Sequence, residues 1–238
     1  MQHGTLYGIS VGPGDRELIT IKALRLLQQA AVVAFPAGTD NKLGLAQEII
    51  LPWLSSNQKQ LPLSFPYTRD DRILLRAWEK AAKTVWEHLK VGENVAFACL
   101  GDLSLYGTFT YLAFALQQFA PTAKIEIIPG VCSPLAATAI LGIPLAVRQD
   151  RLAIVPALDR VKELETIVQW ADVLVLMKVN SVYPEVWHFL QERDLLDRSW
   201  VVERATMGDG KIYSDLRSSR DLKLSYFSLL IVRVRELI

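Results

Sequence analysis

Three glycine-containing turns follow short apolar runs in this chain, and each offers groups that could hold a small ligand. They are Gly12–Asp15, Gly101–Tyr106 and Pro129–Pro134. Glycine lets a ligand approach the main chain closely, and unpaired N–H groups at the start of a helix bind carboxylates or polar ligand edges. A tyrosine ring can attract a cation for about 0.5–2 kcal/mol. The residue types therefore favour a ligand held largely by the backbone.

The first turn is similar to the start of a dinucleotide-binding fingerprint but lacks its full pattern. Glu17 stands where the third glycine should be, and both Asp15 and Glu17 would repel a pyrophosphate. The sequence also lacks the glycine-rich lysine motif that binds nucleotide phosphates. A nucleotide-binding module is thus disfavoured, and a simpler interpretation keeps Asp15 as a local cap in a strand–helix turn.

Two side chains of the second turn and one of the third are candidates for chemistry. Asp102 could act as a base, or it could only cap its turn; Tyr106 could support Asp102, or it could lie in the core. Cys132 could be a nucleophile, but no histidine neighbours it, which favours a small buried residue. The two cysteines and three histidines of the chain have no metal-ligand spacing. We therefore predict no protein-bound metal.

The elements that must position these turns alternate between strand and helix. Val95–Cys99 is typical of a strand buried on both faces of a parallel sheet, and Thr20 can cap a following helix. The rhythm predicts an α/β fold of two domains with mainly parallel sheets. The last strands lie too close for helices, so the second sheet should be mixed. We place the domains at 1–120 and 121–238, and expect ligands beyond the carboxyl ends of the strands.

Composition narrows the class of protein further. The chain has 238 residues, of which 51% are hydrophobic and 21% charged, as in globular proteins. Its net charge of +1 gives no basic footprint for nucleic acid. The N-terminus lacks the pattern of a signal peptide, and no apolar run approaches the roughly 20 residues of a membrane helix. We expect a cytoplasmic protein that binds neither nucleic acid nor membrane.

Taken in order, the three turns and their flanking segments resemble the tetrapyrrole (corrin/porphyrin) methylase family. The similar segments are YGISVGPGDRELIT, FACLGDLSLYGTF, IIPGVCSPLAATAILGIPLA, VLVLMKV, VVERATMGD and YFSLLIVRV. Within the family, the likeness is closest to the branch that methylates the C20 meso carbon of precorrin-2. GTLYG, Lys178, Glu203–Thr206 and Tyr226–Val232 carry that finer likeness.

The resemblance implies a homodimer that binds S-adenosylmethionine in a cleft between two α/β domains, and a tetrapyrrole polycarboxylate as substrate. Among the cations near predicted loop ends, Lys178 and Arg204 are the preferred substrate contacts, ahead of Arg69, Arg72 and Arg148. Carried over by position, the cofactor contacts are Pro13, Gly101, Asp102, Leu103, Tyr106, Cys132, Ser133, Met177, Ala205 and Thr206.

Two positions depart from the family pattern. The family usually has Gly-Asp-Pro where this chain has Gly101-Asp102-Leu103, and losing proline frees an N–H and loosens φ. Gly107 stands where the branch commonly has serine.

The expected activity is methyl transfer to C20 of precorrin-2 or its cobalt complex, with Asp102 and Tyr106 as catalytic candidates. Alignment of sulfur, methyl group and carbon can supply several kcal/mol of the barrier. The alternatives are another ring methylase, such as a uroporphyrinogen-III methylase, diphthine synthase, and a non-catalytic tetrapyrrole carrier.

Overall fold

The computed structural model of the chain describes residues 2–38, 42–68, 70–156 and 161–236. It divides into two compact units, Met1–Cys132 and Ser133–Ile238. Each unit is built on one five-stranded sheet.

The sheet of the first unit is entirely parallel, in the order β3-β2-β4-β1-β5. Its strands are β1 (Thr5–Ser10), β2 (Val32–Pro36), β3 (Lys59–Leu63), β4 (Val95–Cys99) and β5 (Lys124–Ile128). All five residues of β4 are buried, as expected for a strand covered by helices on both faces. Pro62 lies in β3, an edge strand, where a proline removes no hydrogen bond that the sheet needs.

Four helices connect these strands. They are α1 (Ile21–Gln29), α2 (Leu45–Ile50), α3 (Asp71–Leu89) and α4 (Phe109–Phe119). Thr20 caps α1 as predicted, because its hydroxyl oxygen accepts the N–H of Ala23 at 3.2 Å. Helix α2 ends at Ile50, where a 3-10 turn at Leu51–Trp53 that contains Pro52 follows it.

The sheet of the second unit has the order β6-β7-β10-β8-β9 and is mixed, as the sequence predicts. Only β6 and β7 are parallel neighbours; the other three pairs are antiparallel. Its strands are β6 (Leu152–Val155), β7 (Val173–Met177), β8 (Ser199–Glu203), β9 (Lys211–Ser214) and β10 (Ser228–Arg233). Its helices are α5 (Ser133–Leu141), α6 (Glu163–Trp170) and α7 (Tyr183–Gln191).

The division between the units falls after Cys132 and not at about residue 120. The reason is β5, which pairs in parallel with β1 from Thr5↔Lys124 to Ile9↔Ile128 and so completes the first sheet. Pro121 and Thr122, which interrupt the pattern after α4, suggested the earlier boundary, but the choice of a pairing partner depends on residues far away in the chain.

In the described ranges, no helix combines the length and the apolar character that crossing a bilayer requires. The same ranges contain no group of three or more histidine, cysteine or acidic side chains placed to hold a metal ion.

Candidate functional site

The three predicted turns lie at one edge of the first sheet. They follow β1, β4 and β5, which are neighbours in that sheet and run in the same direction. The first two turns are joined by a pair of backbone hydrogen bonds, Gly12 N–H to Gly101 O at 3.3 Å and Gly101 N–H to Gly12 O at 2.7 Å. The first two turns and residues 129–132 of the third belong to the first unit, whereas the predicted boundary assigned the whole third turn to the second domain.

The backbone of Gly101 is open to a ligand. Its φ of +71° suits glycine, and apart from Gly101 and its two chain neighbours no heavy atom of the described residues lies within 4 Å of the point where a Cβ would stand. Gly12, with φ +81°, is packed against Leu18, and Pro13 is buried beside it. A partly exposed stretch of main chain at the carboxyl end of a central strand can hold a small molecule.

Asp102 ties the second turn to the third. One carboxylate oxygen accepts the N–H of Gly130 at 2.8 Å, and the other accepts the N–H of Ser104 at 2.8 Å and the Ser104 hydroxyl. Burial raises the pKa of Asp102, but these hydrogen bonds and one from the Ser10 hydroxyl outweigh it and hold the pKa below its ordinary value. The side chain is thus a carboxylate at neutral pH with both oxygens engaged.

A tight turn follows Asp102. The N–H of Leu105 donates to Asp102 O at 3.3 Å, and Leu103 is buried within the turn. A Cβ on Gly107 would come within 2.5 Å of Leu103 O, which explains why glycine stands there. Tyr106 has φ 55° and is 49% exposed, so it lies at the surface and not in the core.

The first and third turns hold the remaining predicted residues of this edge. Asp15 caps its turn, since its carboxylate accepts the N–H of Glu17 at 2.9 Å. Cys132 is partly exposed and not disulfide-bonded, and Ser133, the first residue of α5, is also partly exposed. No described histidine is bonded to Cys132, so the geometry gives the thiol no activating base.

In the second unit, the predicted residues meet at one edge of the mixed sheet. β10 lies between β7 and β8 and is antiparallel to both, so the carboxyl ends of β7 and β8 meet the start of β10. The N–H of Lys178 donates to Ser228 O at 2.8 Å, and the N–H of Arg204 donates to Phe227 O at 2.7 Å. Met177 and Ala205 pack in one apolar cluster beneath this edge.

The two cations of this edge have different partners. Lys178 Nζ lies 5.2 Å from the centre of the Tyr226 ring, a cation–π geometry. Arg204 Nε bonds Asp209 Oδ1 at 2.6 Å, and this hydrogen bond lowers the pKa of Asp209. Arg204 is therefore already paired with an acid of its own loop.

Backbone strain concentrates at predicted site residues. In the described part of the chain, seven non-glycine residues have a positive φ. Four of them are residues that the sequence analysis places in the site: Tyr106, Lys178, Arg204 and Thr206. Such conformations cost about 1–3 kcal/mol each and persist at functional sites. Among the weaker candidates, Arg148 is also left-handed, Arg72 pairs with Asp70, and Arg69 lies outside the described residues.

Sequence reasoning missed three polar groups near these edges. Ser10 is fully buried at the end of β1 and bonds the second turn. Glu203 is buried at the end of β8, accepting the N–H of Ser225 at 2.6 Å and the Tyr213 hydroxyl at 3.1 Å. Ser228 has a buried hydroxyl without a hydrogen-bond partner. A polar residue inside an apolar strand was the only signal available for the two serines.

The chain has two sheets, and three parallel strands of the first sheet end in glycine-containing turns. These features define a class of α/β proteins that bind small molecules beyond strand ends. The model of the family of tetrapyrrole (corrin/porphyrin) methylases matches residues 5–218. The chain belongs to this family.

Two methyltransferases are similar to this chain over nearly its whole length. A cobalt-precorrin-2 C(20)-methyltransferase of Salmonella typhimurium is 30% identical over 231 residues, which cover 97% of this chain and 96% of the relative. A precorrin-2 C(20)-methyltransferase of a Sinorhizobium species is 31% identical over 237 residues, with 96% and 95% covered.

A solved structure has the same fold. It is the uroporphyrin-III C-methyl transferase of Thermus thermophilus in complex with S-adenosyl homocysteine, which matches with a TM-score of 0.68 and 21% identity, over 96% of this chain and 97% of that one. Both expectations about class, the family and the fold of two α/β units, are confirmed.

Proposed function

We propose that the protein is an S-adenosylmethionine-dependent C-methyltransferase that acts on the C20 meso carbon of precorrin-2 or cobalt-precorrin-2 during corrin ring biosynthesis. The observation that carries the proposal is the similarity, over nearly the full length of both chains, to two relatives with this named activity. A uroporphyrinogen-III C-methyltransferase of Cyanidium caldarium and a cobalt-precorrin-4 C(11)-methyltransferase of Priestia megaterium match over 60% and 56% of this chain.

The edge of the first sheet fits a methyl donor. The open backbone at Gly101 supports this assignment, because a ligand can lie against the main chain there without displacing a side chain. Pro13, Leu103, Tyr106, Cys132 and Ser133 belong to the same three turns. When bound, S-adenosylmethionine supplies a methyl group already activated on a sulfonium.

We assign Asp102 mainly to holding the turns. Its lowered pKa makes it a weak base at neutral pH, and its oxygens are engaged by N–H and hydroxyl donors from both turns. Its contribution is then to orient the backbone at Gly101, and orientation is worth several kcal/mol in a displacement reaction. Tyr106 lines the same turn in a strained conformation.

The edge of the second sheet suits the carboxylates of a tetrapyrrole. Lys178 offers a cation on an aromatic ring, and the neighbouring Arg204 offers a guanidinium shared with Asp209. Ammonium and guanidinium groups bind carboxylates through charge-assisted hydrogen bonds. Met177 is the last residue of β7, and Ala205 and Thr206 follow β8; by the family resemblance, these three residues contact the donor.

A homodimer in the cytoplasm completes the proposal. The surface of α4 supports an association, because the helix contains no charged residue and exposes Tyr111 and Phe114, which are 48% and 61% accessible. Sedimentation of the purified protein tests the oligomeric state.

The test of the activity is a methyl-transfer assay with isotopically labelled S-adenosylmethionine and either precorrin-2 or its cobalt complex. We expect label at C20, located by NMR. Label at another ring carbon, or transfer only to uroporphyrinogen III, would replace this proposal with another ring methylase. A carrier would instead bind tetrapyrrole in calorimetry without binding S-adenosylhomocysteine.

A further inference from the structure

A buried serine at the end of β1 forms a junction between the three turns. Ser10 is fully buried, and its hydroxyl oxygen accepts the N–H of Leu103 at 3.1 Å. In the third turn, Gly130 lies so close that a Cβ added to it would be 2.5 Å from the Cβ of Ser10.

The N–H of Leu103 needs this partner. Leu103 is 1% exposed, and a buried N–H without an acceptor loses the hydrogen bonds that water gives it in the unfolded chain. A prolyl residue at position 103 would have no N–H to satisfy. The turn itself suits proline, since Leu103 is the second of four residues closed by the Leu105 N–H to Asp102 O bond.

Two hydrogen bonds connect the end of β1 to the third turn by way of the second. Ser10 accepts the N–H of Leu103 at 3.1 Å, and Asp102, the residue before Leu103, accepts the N–H of Gly130 at 2.8 Å. The position of Asp102 therefore depends on the backbone that Ser10 holds.

We propose that Ser10 is a positioning residue for the methyl-donor site: by accepting the Leu103 N–H it fixes the turn after β4, and so keeps the preceding residue, Asp102, where its carboxylate reaches the Gly130 N–H. The proposal rests on the proposed function of this edge in binding the donor. Ser10 acts through the two neighbouring residues, and its hydroxyl does not itself contact the reacting atoms.

The test compares Ser10→Ala with Ser199→Ala. Ser199 is equally buried, begins a strand of the second unit, and donates one hydrogen bond, to Leu195 O at 2.7 Å. Both variants should lower the melting temperature by similar amounts. Only Ser10→Ala should weaken S-adenosylhomocysteine binding in calorimetry, by about tenfold, because only that variant releases the turn.

A double-mutant cycle separates positioning from general destabilisation. The Leu103→Pro background has no N–H at position 103 that the loss of Ser10 could leave without an acceptor. In that background, Ser10→Ala should weaken S-adenosylhomocysteine binding by about threefold or less. An equal factor in both backgrounds, or an equal loss of affinity in Ser199→Ala, would overturn the proposal.

S-adenosylhomocysteine binding by the parent protein distinguishes a failure of this proposal from a failure of the proposed function. If it does not bind S-adenosylhomocysteine, the donor site itself is assigned wrongly, and the positioning role falls with it. If the parent binds and Ser10→Ala binds with unchanged affinity, only the role of Ser10 is refuted.

Discussion

The two sheets end in edges of opposite chemical character. In the first unit, the edge consists of glycine turns joined by backbone hydrogen bonds and by Asp102, whose charge is satisfied within the turns. In the second unit, the edge carries Lys178 and Arg204 on left-handed backbone. The first edge presents main chain, and the second presents charged side chains.

This difference between main chain and charged side chains determines how each edge can recognise a ligand. A parallel sheet brings several strand ends to the same side, so turns from distant segments can bond to one another and leave a stretch of backbone open. In the mixed sheet, β10 enters between β7 and β8, so their ends are separated by a strand and contribute individual side chains. Shape recognition suits the first edge and charge recognition suits the second.

The largest expected effect is that of Asp102→Asn. The amide presents an N–H₂ group where the carboxylate now accepts donors from two turns, so the turns should separate. We expect turnover and S-adenosylhomocysteine affinity to fall together, turnover by about 100-fold, in line with the cost of small misplacements. Turnover lost at unchanged affinity would instead make Asp102 a general base.

Gly101→Ala should come next. A methyl group would enter the space now open beside the main chain and cost roughly 1–3 kcal/mol against a bound ligand, which weakens S-adenosylhomocysteine binding about ten- to 100-fold. Gly142→Ala is the matched control, because Gly142 is also left-handed, with φ +67°, and equally open. Both variants should lose similar stability, about 1–2 kcal/mol, measured by denaturant unfolding. Equal affinity in all three proteins would exclude a ligand at Gly101.

A charge change at the second edge should affect only the tetrapyrrole. Lys178→Met keeps the apolar stem and removes the cation, so we expect the KM for the tetrapyrrole to rise about tenfold while S-adenosylhomocysteine affinity stays constant. Arg204→Met should have a smaller effect, since Asp209 already shares that charge. Arg217→Met, at a surface pair with Asp215 in the same unit, is the control. An affinity loss for S-adenosylhomocysteine in Lys178→Met would contradict the division between the edges.

The smallest effect concerns the start of β7, at the edge of the second sheet that lies opposite to Lys178 and Arg204. Hydrogen bonds from the backbone and side chain of Arg151, with the charge of Arg235, lower the pKa of Asp172. Because its pKa is lower in the folded state, Asp172 contributes stability at pH values above its unfolded pKa of about 3.9. That stability disappears as the pH falls through the folded-state pKa. Asp172→Asn should therefore reduce the unfolding free energy at pH 7.

The pH series decides this prediction. The difference between Asp172→Asn and the parent should shrink at acidic pH, and methyl transfer at pH 7 should be unaffected because this edge lies at the start of β7. Asp221→Asn, at an exposed acid of the same unit, is the control. A difference independent of pH would mean that the carboxylate charge of Asp172 contributes nothing.

Much of the fold was predictable because its signals are local. The buried strand Val95–Cys99, the helix over Asp71–Leu89 and its amphipathic pattern, and the Thr20 cap all follow from periodicity and side-chain chemistry within a few residues. The mixed character of the second sheet followed from connections too short for helices. The boundary at 120 was wrong in position because β5 pairs with β1, a contact between segments more than 100 residues apart.

The sequence by itself determined which segments form strands and turns, and which residue types stand at the turns, because apolar periodicity and the φ freedom of glycine act over a few residues. Only the tertiary structure decided that the three turns share one edge and that Asp102 is engaged by its neighbours. It likewise decided that a serine 93 positions away satisfies the Leu103 N–H. Strand order and buried hydrogen bonds arise from pairing between distant segments, and the free energy of each pairing depends on the whole packed sheet.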